Sequence, residues 1–322
     1  MRHTEPVRAL ALVAVLALVG AACASDTRGT VSPTGGGTVE GTPASQPASP
    51  APSPADVPRI TVPSFLDLRT GEIRPLPAGI PDRGRAYAVS PDGTMVATSP
   101  CCHPPNPVWV ANIDGTGVRE ITPEGVDGFA PRWSPDGSKL VYQERDAATQ
   151  ELGTLVVVDV ATGKRTTVTD LKPERADAGW WVSPTFTPDG EEILFQLPRG
   201  SEADAPWDLW LVPAAGGEQR PAAIEGVGSF DFFGDPDVGS HFAYEDGSGA
   251  LIEADWSSLR NPRVLGDGEF GSFRGSPDGT RIVYLVGDEV HVLDTATGED
   301  SLVARGDWPE WFDNNTLIIS PA

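Results

Sequence analysis

Several residue types that carry much of enzyme chemistry are scarce in this chain of 322 residues. It contains three cysteines and four histidines, and only His103, His241 and His291 lie beyond the N-terminal region. No G-x-S-x-G elbow, H-E-x-x-H pair or Walker loop occurs, so the common signatures of serine hydrolases, zinc peptidases and P-loop proteins are absent. The sequence therefore predicts no catalytic residue, no metal site and no cofactor, and it leaves an enzyme only as an alternative.

Positive charge is also scarce. The chain has 23 Lys plus Arg against 46 Asp plus Glu, which gives a formal net charge of −23 at pH 7. Such an excess of negative charge repels the nucleic-acid backbone and anionic lipid surfaces. We therefore expect no nucleic-acid partner, and no membrane contact other than through a lipid anchor.

Only one long hydrophobic run is present, "ALALVAVLALVGAA" at 9–22. It is too short to span a bilayer comfortably, and with Arg2 and Arg8 before it, residues 1–22 are typical of a signal peptide. The run ends in "VGAAC", which resembles a lipoprotein signal and predicts lipidation of Cys23. The protein would then be extracytoplasmic and anchored to the cell membrane; ordinary cleavage of a secreted protein is the alternative.

Large apolar side chains are almost missing from residues 24–57, which consist mainly of Pro, Ser, Thr, Gly and Ala. A segment of this composition cannot bury enough apolar surface to fold. Together with Cys23 it is predicted to form a disordered tether over 23–57, with a reach of roughly 30 Å.

Beyond residue 57 a four-residue word recurs. Clear copies of S/T-P-D-G begin at Ser90, Ser134, Thr187 and Ser276, and degenerate copies occur at 235–237 and 312–315. Each copy precedes an apolar strand. The spacing of about 40 to 50 residues is typical of propeller blades. Pro, Asp and Gly all favour tight turns, so the word predicts a hairpin turn and a carboxylate site is the weaker alternative.

The two ends of this region complement each other. The segment 60–76 has an outer hairpin with no S-P-D-G strand before it, and the segment 308–322 has an inner hairpin with nothing after it. Joined in one sheet they would form a blade from both termini. The prediction is an all-β fold, a six-bladed propeller of four-stranded antiparallel blades over residues 58–322.

These repeats resemble the WD40-like propeller repeats of the TolB family, which also occur in the propeller domains of dipeptidyl-peptidase-type enzymes. The resemblance covers 58–322 and implies the fold far more strongly than an activity, because this architecture hosts binding, scaffolding and substrate gating. Neither the α/β domain that precedes the TolB propeller nor the hydrolase domain of the peptidases is recognised in this sequence.

In such a propeller the connections between second and third strands form the face opposite the S-P-D-G turns. These connections are long in the first three blades, at 98–109, 143–153 and 196–210, which predicts a binding face there. The candidate residues for this face are His103, Trp109, Glu144, Asp146, Trp180, Trp181, Asp204 and Trp207.

Two further groups of residues are singled out. Cys101 and Cys102 are adjacent, and in an oxidising compartment they are predicted to form a vicinal disulfide; free thiols, an intermolecular bridge and a metal site with His103 are alternatives. The second group is Arg132, Arg274 and Glu310, which share a position just before the turn and are predicted to line the central channel. A purely structural ion pair among them is the alternative.

The functional prediction is a noncatalytic protein-binding or scaffolding module at the cell envelope, with an unidentified envelope protein as its partner. A small-molecule or glycan binder is the first alternative and predicts a pocket at the channel mouth. A propeller hydrolase, lyase or lactonase is the second, and it predicts a metal or a convergent acid and base in the channel.

Overall fold

The structure, a computed structural model, describes residues 57–81, 84–100, 105–148, 153–171, 182–199, 206–234, 241–256, 262–268, 270 and 272–322. Over these ranges the chain forms strands and turns and no helix, so no described helix could cross a membrane. The first twelve strands are β1 (Ser64–Asp67), β2 (Ile73–Pro75), β3 (Gly84–Val89), β4 (Met95–Pro100), β5 (Trp109–Asn112), β6 (Arg119–Glu120), β7 (Val126–Trp133), β8 (Lys139–Asp146), β9 (Thr154–Asp159), β10 (Arg165–Asp170), β11 (Thr185–Phe186) and β12 (Glu192–Pro198). The remaining twelve are β13 (Trp207–Pro213), β14 (Arg220–Glu225), β15 (Phe230–Phe233), β16 (His241–Glu245), β17 (Ala250–Asp255), β18 (Arg263–Asp267), β19 (Phe273–Gly275), β20 (Arg281–Val286), β21 (Glu289–Asp294), β22 (Asp300–Arg305), β23 (Asp307–Asp313) and β24 (Thr316–Ser320).

The strands form six four-stranded antiparallel sheets, which confirms the predicted six-bladed propeller. Blades 1 to 5 are β3–β6, β7–β10, β11–β14, β15–β18 and β19–β22, each in chain order from the inner to the outer strand. Blade 6 has the order β23-β24-β1-β2 and so contains both ends of the folded region. In it β1 pairs antiparallel with β24 from Ser64 opposite Ile319 to Asp67 opposite Thr316. The predicted closure by both termini is therefore confirmed.

Apolar side chains fill the spaces between neighbouring blades. Trp133 packs with blade 1 residues such as Ala88 and Val110, and its indole N–H donates to the Ala88 carbonyl at 2.8 Å. Trp311 fills the same position between blades 5 and 6 and donates to the Arg274 carbonyl at 3.0 Å. Each fully buried side chain of this size contributes about 1.5 to 3 kcal/mol by leaving water, so the blade interfaces hold the ring together.

The S-P-D-G words are turns in which the aspartate bonds locally. In the second copy Ser134 Oγ donates to Asp136 Oδ1 at 2.6 Å, and the Lys139 N–H donates back to Ser134 Oγ at 2.9 Å. Gly137 has a φ of 69°, a left-handed conformation that glycine adopts without strain. The Ser134 hydroxyl is the main cause that lowers the pKa of Asp136 to about 2. The carboxylate is therefore engaged in shaping the turn.

Candidate functional site

A cavity of about 430 Å³ lies among the inner strands of all six blades. Its wall includes residues of β3, β7, β11, β15, β19 and β23 and the serine and proline residues of the S-P-D-G turns, so it lies toward the turn face of the propeller. Protein sites for small molecules have volumes of about 300 to 1,000 Å³. The cavity is large enough for a small organic ligand.

One residue from each blade lines this cavity at the same position. In each blade one inner-strand residue pairs with the same position of the second strand. These second-strand partners are Ala97, Val141, Leu194, Ala243, Val283 and Ile318. In blade order the six inner-strand residues, here called the channel ring, are Ala88, Arg132, Thr185, Asp231, Arg274 and Glu310. All six belong to the cavity wall. The ring thus brings two guanidinium groups and two carboxyl groups to one level of the channel.

The residues predicted to line the channel, Arg132, Arg274 and Glu310, all lie in this wall. Sequence reasoning missed Asp231. Arg132 and Arg274 lie two residues before the serine of their S-P-D-G motifs, and the same count from the degenerate copy at Asp235 leads to Phe233. That count is wrong because the connection in blade 4 spans 234–240, whereas the connection in blade 2 spans 134–138. The pairing of Asp231 with Ala243 corrects the count. The one signal in the sequence is the charged residue inside "FDFF", where strand alternation brings Asp231 to the channel.

The charged ring residues contact one another weakly. Arg132 Nη1 lies 3.4 Å from Glu310 Oε2, and Arg274 Nε lies 3.5 Å from the same oxygen. These three side chains are only 14 to 16% exposed. Asp231 Oδ2 accepts a hydrogen bond from the Gly275 N–H at 3.1 Å. Glu310 Oε2 is therefore shared by two arginines, one from blade 2 and one from the opposite blade 5.

Burial dominates the titration of the ring carboxyls. It raises the pKa of Asp231 to about 7, while the charge of Arg132 lowers that pKa and the charge of Glu310 raises it. Burial likewise raises the pKa of Glu310, with the charge of Arg132 opposing the rise. Both carboxyls therefore retain protons at a pH where exposed ones are ionised.

Two inner strands bulge just before their ring residue. Ala130 has a φ of 50° and Trp308 a φ of 47°, and these are the non-glycine residues with positive φ in the described chain. Each precedes a proline, in "APRW" and "WPEW", and the strand register shifts at both places. Bulges re-aim side chains and concentrate beside functional sites. Here they immediately precede Arg132 and Glu310.

The predicted binding face lies at the other ends of the blades. Trp109 begins β5 and Trp207 begins β13, and both are half-buried. Glu144 is buried and forms an ion pair with Arg165, whereas Asp146 is exposed at the end of β8. None of these four residues lines the cavity. Cys23, Cys101, Cys102, His103, Trp180, Trp181 and Asp204 lie outside the described residues, so the proposed roles of these residues stay predictions.

Among the described residues no group of three or more His, Cys, Asp or Glu side chains converges in a way that could hold a metal ion.

Comparison with known protein sequences gives partial matches. The Tol-Pal system protein TolB of Francisella tularensis is 39% identical over 92 residues, which are 28% of this chain and 19% of that protein. Dipeptidyl-peptidase 5 of Porphyromonas gingivalis is 31% identical over 108 residues, 32% of this chain and 15% of the relative. No family model matches the chain. The matches thus cover less than a fifth of the length of either relative.

Solved structures extend the similarity to most of the fold. The structure of TolB from Acinetobacter baumannii has a TM-score of 0.52 at 14% identity and covers 80% of this chain and 63% of that one. A gluconolactonase from Xanthomonas campestris has a TM-score of 0.52 at 15% identity and covers 86% and 99%. At this identity the likeness shows the fold alone. The class is a six-bladed β-propeller, and the partial TolB matches confirm the resemblance to TolB-like propellers.

Proposed function

We propose that this protein is a noncatalytic binding module for another protein at the cell envelope, tethered to the membrane through a lipidated Cys23. The observation that carries the proposal is the 39% identity to a Tol-Pal system protein over 92 residues of a chain that folds as a six-bladed propeller. The relative's name places it within a system of proteins. The partner of this chain is an envelope protein that contacts one end of the propeller.

The point where the tether enters the propeller supports this arrangement. The Arg305 N–H donates to the Pro58 carbonyl at 2.8 Å, and Arg59 forms an ion pair with Asp288 at 2.8 Å. Asp288 lies in the connection between β20 and β21, which is on the face opposite the S-P-D-G turns. The propeller therefore begins beside the predicted binding face, where it follows the proposed tether over 23–57 and signal peptide over 1–22.

The test is a crosslinking pulldown of the tagged full-length protein from intact cells. The loop variant replaces residues 101–104 by Gly and Ser and keeps residues 105–107. That choice matters because the Asn106 N–H donates to Asp127 Oδ1 at 2.8 Å and the Gly128 N–H donates to the Asn106 carbonyl at 2.7 Å. Removing Asn106 would break the contact between blades 1 and 2 and confuse a binding defect with misfolding.

A partner captured by the wild type and lost in the loop variant would support protein binding at the predicted binding face. Glu299→Ala, at an exposed outer hairpin, is the matched control and should retain the partner. Cys23→Ala should move the protein from the membrane to the soluble fraction if Cys23 carries the anchor. If no partner is enriched in any of these pulldowns, the protein-binding role is contradicted.

The cavity favours a second candidate function, the binding of a small molecule. Its volume and its charged ring are the observations that support this candidate. The likeness to a gluconolactonase extends to the fold and supplies no catalytic residue.

A further inference from the structure

We propose that the cavity binds a small carboxylate ligand, which the guanidinium of Arg132 and the hydroxyl of Thr185 hold in the half of the channel ring formed by blades 1 to 3. This site does not depend on the protein-binding role, which concerns the ends of the propeller. The ligand's carboxylate would face the two donors, and its apolar body would lie along the cavity wall beside Phe232 and Phe312.

The ring charges are not required by the fold. Ala88 and Thr185 occupy the same position in blades 1 and 3, so a blade forms with a small neutral residue there. Buried ion pairs are often no more stable than well-packed apolar groups of the same volume. Four charged side chains at this level of the channel therefore need an explanation other than stability.

The arginines also hold the ring carboxyl of Glu310 only loosely, although Arg274 Nη1 donates to the Phe273 carbonyl at 2.6 Å. Arg132 and Arg274 share a single oxygen of Glu310 at 3.4 and 3.5 Å, beyond the usual range of about 2.7 to 2.9 Å for charge-assisted hydrogen bonds. On the surface of the same protein Arg199 holds Asp208 with two bonds of 2.7 and 2.6 Å. Since a guanidinium has five donors, those of Arg132 can bind a second carboxylate.

The order of residues around the ring determines where an anion fits. Asp231 in blade 4 and Glu310 in blade 6 flank Arg274 in blade 5 on both sides. Arg132 in blade 2 instead has the uncharged Ala88 and Thr185 as its ring neighbours. An anion beside Arg274 would have a carboxyl on both sides. An anion beside Arg132 would have a methyl group and a hydroxyl donor as ring neighbours and would compete with Glu310, 3.4 Å from Arg132 Nη1, for the guanidinium.

The backbone gives independent support. The left-handed Ala130 and the shift in register between Phe129 and Arg132 re-aim the strand immediately before Arg132. A non-glycine residue adopts this conformation only when its surroundings enforce it, and such strain is concentrated at ligand sites. Among the described residues only the ring positions of Arg132 and Glu310 follow a non-glycine residue of this conformation, and those two side chains contact each other.

The first experiment compares probes that differ only in the charge of one group. Isothermal titration of the full-length protein at pH 7 would use 3-phenylpropionate and 3-phenylpropionamide. The carboxylate should bind at least about tenfold more tightly than the amide, because it gains a charge-assisted bond to Arg132. Equal affinity for the two probes, or no heat from the carboxylate at millimolar concentration, would overturn the proposal.

Variants at Thr185 separate charge from shape. Thr185→Glu puts a competing carboxylate beside Arg132 and should abolish binding of 3-phenylpropionate. Thr185→Gln has the same size as that variant without the charge but lacks the hydroxyl, so it should weaken binding and still bind more tightly than Thr185→Glu. Arg132→Gln should also lose binding, and Arg199→Gln at the exposed surface should not. Circular dichroism and thermal melting of each variant establish folding. Undiminished binding by a folded Arg132→Gln protein would contradict the assignment.

A carboxylate could come from a free organic acid or from a polypeptide C-terminus. Titration with N-acetyl-Ala-Ala-Phe, with a free or an amidated terminus, distinguishes these sources. Tighter binding of the free peptide than of 3-phenylpropionate would identify a C-terminus, and exclusion of the peptide would identify a small organic acid. Both outcomes support the site, provided that the amidated peptide fails to bind.

Discussion

Replacing Asp231 by Asn should make the stability of this protein less dependent on pH. The pKa of Asp231 is raised from 3.8 to about 7, chiefly by burial, with the charge of Arg132 opposing the rise and that of Glu310 adding to it. Between these pH values the native carboxyl keeps a proton that the unfolded chain has lost. The free energy of unfolding of the wild type therefore falls as pH rises through this window and levels off above about 7.

The size of the effect follows from the shift. One pKa unit corresponds to about 1.4 kcal/mol, so Asp231 alone costs the native state about 4 kcal/mol by pH 8. About two of the three units lie between pH 5 and pH 7, so the wild type should lose about 3 kcal/mol more than Asp231→Asn between pH 5 and pH 8. Urea unfolding of both proteins at pH 5 and pH 8 measures this difference.

Asp92→Asn is the matched control. The pKa of Asp92 is lowered, chiefly by the hydroxyl of Ser90, so this carboxyl is ionised at both pH values in both states. Its replacement should change the free energy of unfolding by the same amount at pH 5 and at pH 8. If Asp231→Asn shows the same pH dependence as the wild type, the argument from burial is refuted.

Three further substitutions test the packing of the blades, each by urea unfolding. Gly275→Ala should destabilise the fold by about 1 to 3 kcal/mol, since an added Cβ would lie 2.0 Å from Cβ of Phe233, and a neutral result would contradict this packing. Trp311→Phe should cost about 1 to 3 kcal/mol by removing the donor to the Arg274 carbonyl, with the exposed Val264→Ala as a neutral control. Ser134→Ala should cost about 1 to 2 kcal/mol by removing both turn hydrogen bonds, and a loss that disappears as pH falls toward 2 would point to the bond with the Asp136 carboxylate alone.

The blades and their closure were predictable from the sequence because they depend on local chemistry. The S-P-D-G word needs only the turn preferences of its own residues, and the complementary ends need only a count of hairpins. Asp231 was not predictable in the same way, because its position depends on which residue of β16 it pairs with and more residues separate β15 from β16 than separate β7 from β8. Register across a variable connection is set by packing on the neighbouring strands.

The left-handed residues illustrate a second limit. A residue before proline normally avoids helical regions and favours an extended conformation. "APRW" and "WPEW" would therefore be interpreted as continuous strand, yet Ala130 and Trp308 have positive φ. Local preference predicts the reverse of what is observed at both places, where the strand register shifts just before Arg132 and Glu310. Places where local rules fail in this way are where function is to be sought.

Closure of the ring and the charges in the channel meet on one strand. β23 belongs to the blade that both termini build, and it carries Glu310, the acid that contacts arginines of blades 2 and 5. The pairing of β1 with β24 closes the ring of blades. Because β24 also pairs with β23, the same strand sets the position of Glu310 along the channel. A ligand carboxylate that binds Arg132 would compete with Glu310 for that guanidinium.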